Sequence, residues 1–267
     1  MTLAVTLNGY NYNINSVVKS EKDQAKSGLT HLKDYLGTAN GAYKCTDLPS
    51  KICKLGAETA LLMKNPAVAS SLKGIGSGFS KAAGGFIVPY CAFSAIQLEE
   101  SIELIDKKGG SAGNVEALVK NSFSFVASAC YSALLFGPSK ILNSVATVAD
   151  FGEAGIELKQ EACKFSEVSD MEGAEGLTAE IKTKLAEKKK LHLFGLIKAV
   201  TSVVSGIFAV LALILATAVV PAIVSAVIGL VAITFTFIKH FYGENLDRKM
   251  TFERTTPIQL PSVLETA

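Results

Sequence analysis

The sequence contains no tryptophan, which removes one of the two residues that usually mark the rim of a membrane-spanning segment. Histidine is scarce. His31, His192 and His240 stand far apart, in no HExxH or His-x-His spacing, so no metal centre has a basis in them and no metal ligand is assigned. Each lies beside basic or polar residues, which predicts a solvated position. The five cysteines, Cys45, Cys53, Cys91, Cys130 and Cys163, include no CxxC pair and are odd in number. That pattern is expected of free, buried thiols in a reducing compartment and not of a disulfide framework. An excess of one charge sign is also missing: the formal net charge is +2, which gives no electrostatic footprint for nucleic acid. The first fourteen residues lack both a basic stretch and an apolar stretch of useful length, and so do not read as a secretory signal.

The most informative absence is of charge altogether. Between Lys198 and Lys239 run forty residues without Asp, Glu, Lys or Arg, and Pro221 is the only breaker near their middle. A helix rises about 1.5 Å per residue, and about 20 apolar residues cross a bilayer core of about 30 Å. The run is therefore twice one crossing, with a proline where a reversal falls. Two spans fit it, about 196–219 and 222–238, separated by the turn Val220-Pro221. Helices satisfy their own backbone groups in lipid, so a helical hairpin is the natural form. Ser202 with Gly206, and Ser225 with Gly229, place small residues four apart, a spacing that lets helices approach closely. Lys188, Lys189, Lys190 and Lys198 precede the run, and Lys239, Arg248 and Lys249 follow it. Basic flanks at both ends predict two crossings with both termini on one cytoplasm-like side. The aromatic cluster Phe235, Phe237, Phe241 and Tyr242 fits one interface. A re-entrant hairpin held in one leaflet and a pair of core helices in a soluble bundle remain as alternatives.

Before the run, Leu3–Leu7 and Tyr10–Ile14 flank Asn8-Gly9, a pattern that predicts a β-hairpin. A secretion address is the other reading of these residues. Helical spacing over 20–36 predicts a polar helix. A second is expected over 47–63, opened by Asp47 with Pro49 in its first turn. A third, short one is expected from Pro66 to Lys73, followed by a flexible glycine-rich connection, GIGSGFSKAAGG. Longer helices are expected over 86–107 and 114–136, each with an uncharged stretch (82–97 and 121–138) that raises the question of further membrane embedding. The helix from Ser139 to about Ser166 has Ile141, Val145, Val148, Ile156 and Leu158 as its expected buried side. The acidic segment near 166–176 reads as a linker, leading to a basic helix.

No catalytic chemistry stands out. The glycine stretch has neither the GxxxxGK[ST] nor the GxGxxG spacing of phosphate loops. Glu99, Glu100, Glu103 and Asp106 read as a solvated helix end, with Lys107 and Lys108 favourable at its C-terminus. The expectation is a protein that is not an enzyme, with no cofactor. The tail from Gly243 lacks periodicity, and its TTPIQLPSV segment is a candidate peptide for a partner groove.

The fold expected is all-α: an N-terminal β-hairpin or secretion segment (1–19), a helical domain (20–165), a linker and basic helix (166–195), a bilobed transmembrane hairpin (196–238) and a mobile tail (239–267). Two hydrophobic lobes back to back, flanked by basic residues, resemble the inclusion membrane proteins of chlamydiae. That resemblance implies a type III secreted effector of host–pathogen interaction, inserted in the host vacuole membrane with both ends in host cytosol. It further implies a non-catalytic scaffold or tether. Its partners are then the lipid bilayer and an unknown protein held by the helical domain or tail, with a homo-oligomer as a further option. A pore-forming or translocator-like protein, in which several apolar segments insert together, is the alternative.

Overall fold

The computed structural model describes residues 2–7, 10–16, 35–173, 177–215, 222–247 and 250–255. Its body is all-helical. Among the described residues six helices follow one another: α1 (Ala39–Leu62), α2 (Pro66–Lys108), α3 (Ala112–Leu134), α4 (Lys140–Glu172), α5 (Ala179–Leu215) and α6 (Ala222–Asp247). Toward the chain ends, strands β1 (Thr2–Leu7) and β2 (Tyr10–Ser16) pair antiparallel with Leu7 opposite Tyr10, and β3 (Met250–Thr255) pairs antiparallel with β2. The residues proposed for the turn, Asn8 and Gly9, lie outside the described residues, as do most of 20–36, Val220, Pro221, Arg248, Lys249 and 256–267.

Local chemistry sets the helix starts. Thr38 accepts from the Gly41 amide, Asn65 from Val68, Ser111 from Asn114 and Ser139 from Leu142, each side chain satisfying an amide that has no partner within the helix. Gly109, at φ +80, ends α2 in a backbone region that favours glycine. Lys107 and Lys108 sit in the last turn of that helix, where cations oppose its dipole favourably.

Several expected boundaries move. The chain from Pro66 through five glycines and Pro89 is one continuous helix, α2, and not a short helix followed by a flexible connection. Gly76 has a packing reason: a methyl there would meet the Cys53 side chain of α1 at 3.0 Å. α1 begins at Ala39, not Asp47, so Pro49 lies inside the helix and not in its first turn. α4 runs on through the expected linker to Glu172, and α6 continues past 238 to Asp247.

Each helix packs against the next, and α1 also packs against α6, which closes a ring. The apolar hairpin is thus two members of the ring, joined to α4 on one side and α1 on the other, and not an appendage to a separate helical domain. Helices pack at about 8–10 Å.

The ring has two unlike ends. Where α4 ends, α5 begins and α6 ends, Val168, Met171, Ile181, Leu185, Leu191 and Leu246 form an ordinary apolar core. Elsewhere the buried apolar residues are mostly alanines, among them Ala57, Ala83, Ala127, Ala146, Ala149, Ala199 and Ala226. Large apolar side chains there face outward. Met63 and Ile141 are each 76% exposed and Phe136 is 90% exposed. Among the described residues three helices are long and apolar enough to cross a membrane, with their spans in Pro66–Lys108, Ala179–Leu211 and Ala226–Glu244. The first includes 82–97, so that stretch lies on a candidate span; α3, which carries 121–134, is not among the three.

Candidate functional site: a charged interior

α4 is inverted relative to expectation. Of the five residues expected to be buried, Ile141, Val145 and Val148 are exposed and Ile156 and Leu158 are half-buried; Val145 and Val148 line an outer groove of about 440 Å³ shared with Ser122, Phe123 and Val126 of α3. On the opposite side of α4 stand Asp150, Glu153, Glu157 and Glu161. At 100° per residue these four fall within one stripe, along which Glu161 is buried, Glu153 and Glu157 are half-buried and Asp150 is exposed.

Each neighbouring helix answers it. The Tyr131 hydroxyl of α3 donates to Asp150 at 2.7 Å. Lys198 of α5 donates to both oxygens of Glu157, at 2.6 and 2.8 Å. Lys239 of α6 donates to Glu161 Oε1 at 2.8 Å, and His192 Nδ1 of α5 lies 3.1 Å from Glu161 Oε2. Lys120 of α3 interacts electrostatically with Glu153 and Glu157. Lys44 of α1 interacts electrostatically with Asp150 on α4 and Lys198 on α5, although α1 packs against α2 and α6. Among the described residues no carboxylate is within 4.0 Å of the Lys44 ammonium, which sits 5.0 Å from the Tyr43 ring centre.

α2 contributes uncharged polar groups. Tyr90 stacks on Tyr43 and shares a hydrogen bond of 3.1 Å with Ser124. Asn121 donates to Ser101 Oγ at 2.6 Å and to the Gln97 carbonyl at 3.1 Å. Side-chain hydrogen bonds between helices with small residues at the contacts are how helices associate where burial of apolar surface offers no drive.

Glu161 is the most enclosed of the carboxylates, at 3% exposed, and ties α4, α5 and α6 together. Burial alone would raise its pKa. Hydrogen bonds from His192 and Lys239, with the charges of Lys239 and Lys164, outweigh that and bring it to about 2. Glu161 lies on α4, outside the three candidate spans. Gly195 of α5 is what admits it, because any β-carbon there would collide with the Glu161 carboxylate.

The residues singled out in sequence are redistributed. Lys198 and Lys239, expected as flanking cations, turn inward to Glu157 and Glu161. Lys189 pairs with Glu172 at 2.9 Å, Lys190 is exposed and Lys188 is half-buried. His192, expected on the surface, is buried at 8% exposure. Gly206 meets Phe151 of α4, where a methyl would stand 2.6 Å from the ring, and Gly229 meets the Lys51 stem of α1 at 3.5 Å. These small residues thus serve the contacts of the hairpin with its outer neighbours and not the contact between its own two helices. Ser202 is half-buried on α5, and the side chain of Ser225 is outside the described residues. The aromatic cluster divides. Phe235 and Tyr242 meet Phe194 of α5, whereas Phe237 and Phe241 meet Tyr35. Glu99, Glu100, Glu103 and Asp106 are exposed at the end of α2.

Sequence reasoning missed Asp150, Glu153, Glu157 and Lys44. Their signal was legible as spacing, since 150, 153, 157 and 161 share one helical face. The rule that assigns the apolar face to the interior pointed the other way. Among the described residues no group of three His, Cys, Asp or Glu side chains is arranged to hold a metal ion. No family model matches this sequence, and no curated protein or solved structure matches it.

Proposed function

We propose that this chain is a multi-pass membrane protein of the pore-forming or translocator-like kind, in which several apolar segments insert together around a polar interior. The observation that carries the reading is the inversion of α4: Glu157 and Glu161 pair with lysines of α5 and α6 while Ile141, Val145 and Val148 face out. Soluble monomers rarely expose contiguous apolar surface on this scale. Ionisable side chains in membrane segments face bundle interiors and mark ion or solute pathways. The membrane then embraces the outer faces of 82–98 on α2, 121–134 on α3, 141–149 on α4, 199–215 on α5 and 222–238 on α6. The end carrying Glu99–Asp106, Glu161–Glu172 and Lys182–Lys190 stands in water.

Purified full-length protein added to liposomes tests this. The reading expects it to remain with the vesicles after alkaline carbonate washing and to release an encapsulated small dye. Recovery in the wash as a monodisperse soluble protein overturns it.

The second reading, a membrane-anchored scaffold without a conducting role, draws support from the exposed charges at the watery end, among them Glu99, Glu100, Asp106, Lys182 and Lys190. It expects carbonate resistance and protease access to both termini from one side, without dye release. The more specific expectation of a secreted effector in a host vacuole membrane belongs to this reading. Its test is whether the protein, expressed in host cells, reaches that membrane with both ends facing the cytosol.

A further inference from the structure

The charges of the chain divide by end. From Thr59 to Leu98, and again from Asn121 to Ala149, the sequence holds no Asp or Glu and keeps Lys64, Lys73, Lys81 and Lys140. Those stretches make the end at which α1 turns into α2 and α3 into α4. The acidic groups Glu99–Asp106 and Glu167–Glu172 belong to the opposite end.

At the basic end α2 outreaches α3. Leu135, just past α3, stands 3.2 Å from where a β-carbon on Gly84 would be, and Ser132 donates to the Ile87 carbonyl at 3.4 Å. α3 therefore stops beside 84–87, whereas α2 starts at Pro66, about 27 Å of helix further on. Over that length the helix that packs against α2, among the described residues, is α1. Leu72 meets Gly56, Gly76 meets Cys53, and Lys73 lies 3.8 Å from Glu58. The other sides of α2 are open there: β-carbons at Gly74 and Gly78 would meet nothing within 4 Å. This hairpin exposes Leu62, Met63, Val68, Ile75 and Phe79.

Its turn holds a lysine where glycine is the usual residue. The Asn65 amide donates to the Ala60 carbonyl at 2.8 Å and the Lys64 amide to Leu61 at 3.0 Å, the pair of bonds that closes a helix around a left-handed residue. That residue is Lys64, at φ 57, a backbone region that glycine enters without steric cost. What lysine adds is a charge. Lys64, Lys81 and Lys140 are all exposed, and among the described residues no carboxylate lies within 4.0 Å of any of them.

We propose that this end, the α1–α2 hairpin with the α3–α4 turn beside it, docks on a bilayer surface rich in anionic phospholipid. The inference rests on the membrane reading above for the level of the headgroups, and it names the lipid which that membrane presents. Lys81 directly precedes the embedded stretch 82–98 and Lys140 the stretch 141–149, so both ammonium groups reach one headgroup level on their flexible stems. Lysines beside exposed apolar side chains on a helix are the makeup of segments that lie at membrane interfaces. A second copy meeting this end would cover the apolar side chains but set lysine against lysine. An anionic bilayer offers phosphates to the one and an apolar layer to the other.

Flotation of full-length protein, diluted from detergent on to vesicles of phosphatidylcholine alone or with phosphatidylglycerol added, tests this. Wild-type protein is expected to bind the mixed vesicles more tightly, by a margin that shrinks at high salt. Lys64→Gly, Lys81→Gln and Lys140→Gln are each expected to weaken binding to the mixed vesicles about fivefold and to leave binding to neutral ones unchanged. Lys64→Gly also relieves the turn, so it is expected to keep or raise thermal stability while losing affinity, a combination that a purely structural lysine does not give. Lys190→Gln, exposed at the opposite end, is expected to match wild type. Equal binding of wild type to both vesicles overturns the proposal, as does an equal loss in Lys190→Gln, the mark of a general attraction. Cross-linking of Ile75→Cys between copies of otherwise cysteine-free protein, with binding indifferent to lipid charge, assigns the hairpin to self-association instead. Carbonate washing separates the two readings. Resistant protein without a preference for anionic lipid retains the membrane crossing and loses the docking surface. Protein that floats only with mixed vesicles and is stripped by carbonate retains the docking surface and loses the crossing.

Discussion

At the scale of single residues, the structure turns on charges that have left water and found partners. Glu161 is the clearest case. Its folded pKa, about 2, lies below the ordinary carboxylate value near 4.3. A carboxylate held down in this way contributes stability that is fully present above its unfolded pKa and is lost as pH falls through the folded one. Thermal unfolding in detergent, followed by circular dichroism, is therefore expected to show a loss on the order of 3 kcal/mol between about pH 5 and pH 2. Glu161→Gln is expected to remove most of that pH dependence while lowering stability at neutral pH, because His192 and Lys239 are left facing an uncharged amide. Gly206 makes a steric prediction. Gly206→Leu forces Phe151 aside and is expected to cost about 1–3 kcal/mol, the usual range for overpacking, in the same unfolding experiment.

At the scale of elements, the lesson is the inversion of α4. Helix limits near Gly109, Ser139 and Pro66 were readable because they depend on local capping chemistry, which a sequence states directly. The forty uncharged residues were equally plain, and α5 and α6 carry 199–215 and 222–238 of them. The orientation of α4 was not readable, because an amphipathic helix looks the same whether water or lipid surrounds it. Only its partners decide, and Tyr131, Lys198 and Lys239 come from three other helices. The glycines of α2 misled for a related reason. In an exposed soluble helix each costs about 1 kcal/mol relative to alanine, whereas in a membrane-like bundle they are tolerated and allow close approach, as Gly76 does with Cys53. The orientation carries a prediction. Val148→Asp puts a charge on the outer face of α4 and is expected to weaken membrane insertion by about 2.5–3.5 kcal/mol. The matching loss of charge inside, Glu153→Gln, is expected to leave insertion intact. Carbonate extraction of the two variants checks both.

At the scale of the whole molecule, the ring reconciles two features that conflict in a soluble protein: a generous supply of exposed Ile, Leu, Val and Phe, and an interior in which carboxylates of α4 meet ammonium groups from α5 and α6. The apolar hairpin told of a membrane, but not that it would close a ring with α1, since that contact joins helices far apart in sequence. Closure gives the account its central claim, which is that lipid lies outside and the charges lie inside. Spin labels on single cysteines test this most directly, in full-length protein whose five native cysteines have been replaced, reconstituted in liposomes. Labels at Val145→Cys and Val148→Cys are predicted to collide readily with dissolved oxygen, which concentrates in lipid, and little with a water-soluble nickel complex. A label at Glu153→Cys is predicted to be shielded from the lipid. The reverse pattern, with positions 145 and 148 shielded and position 153 facing lipid, would contradict it.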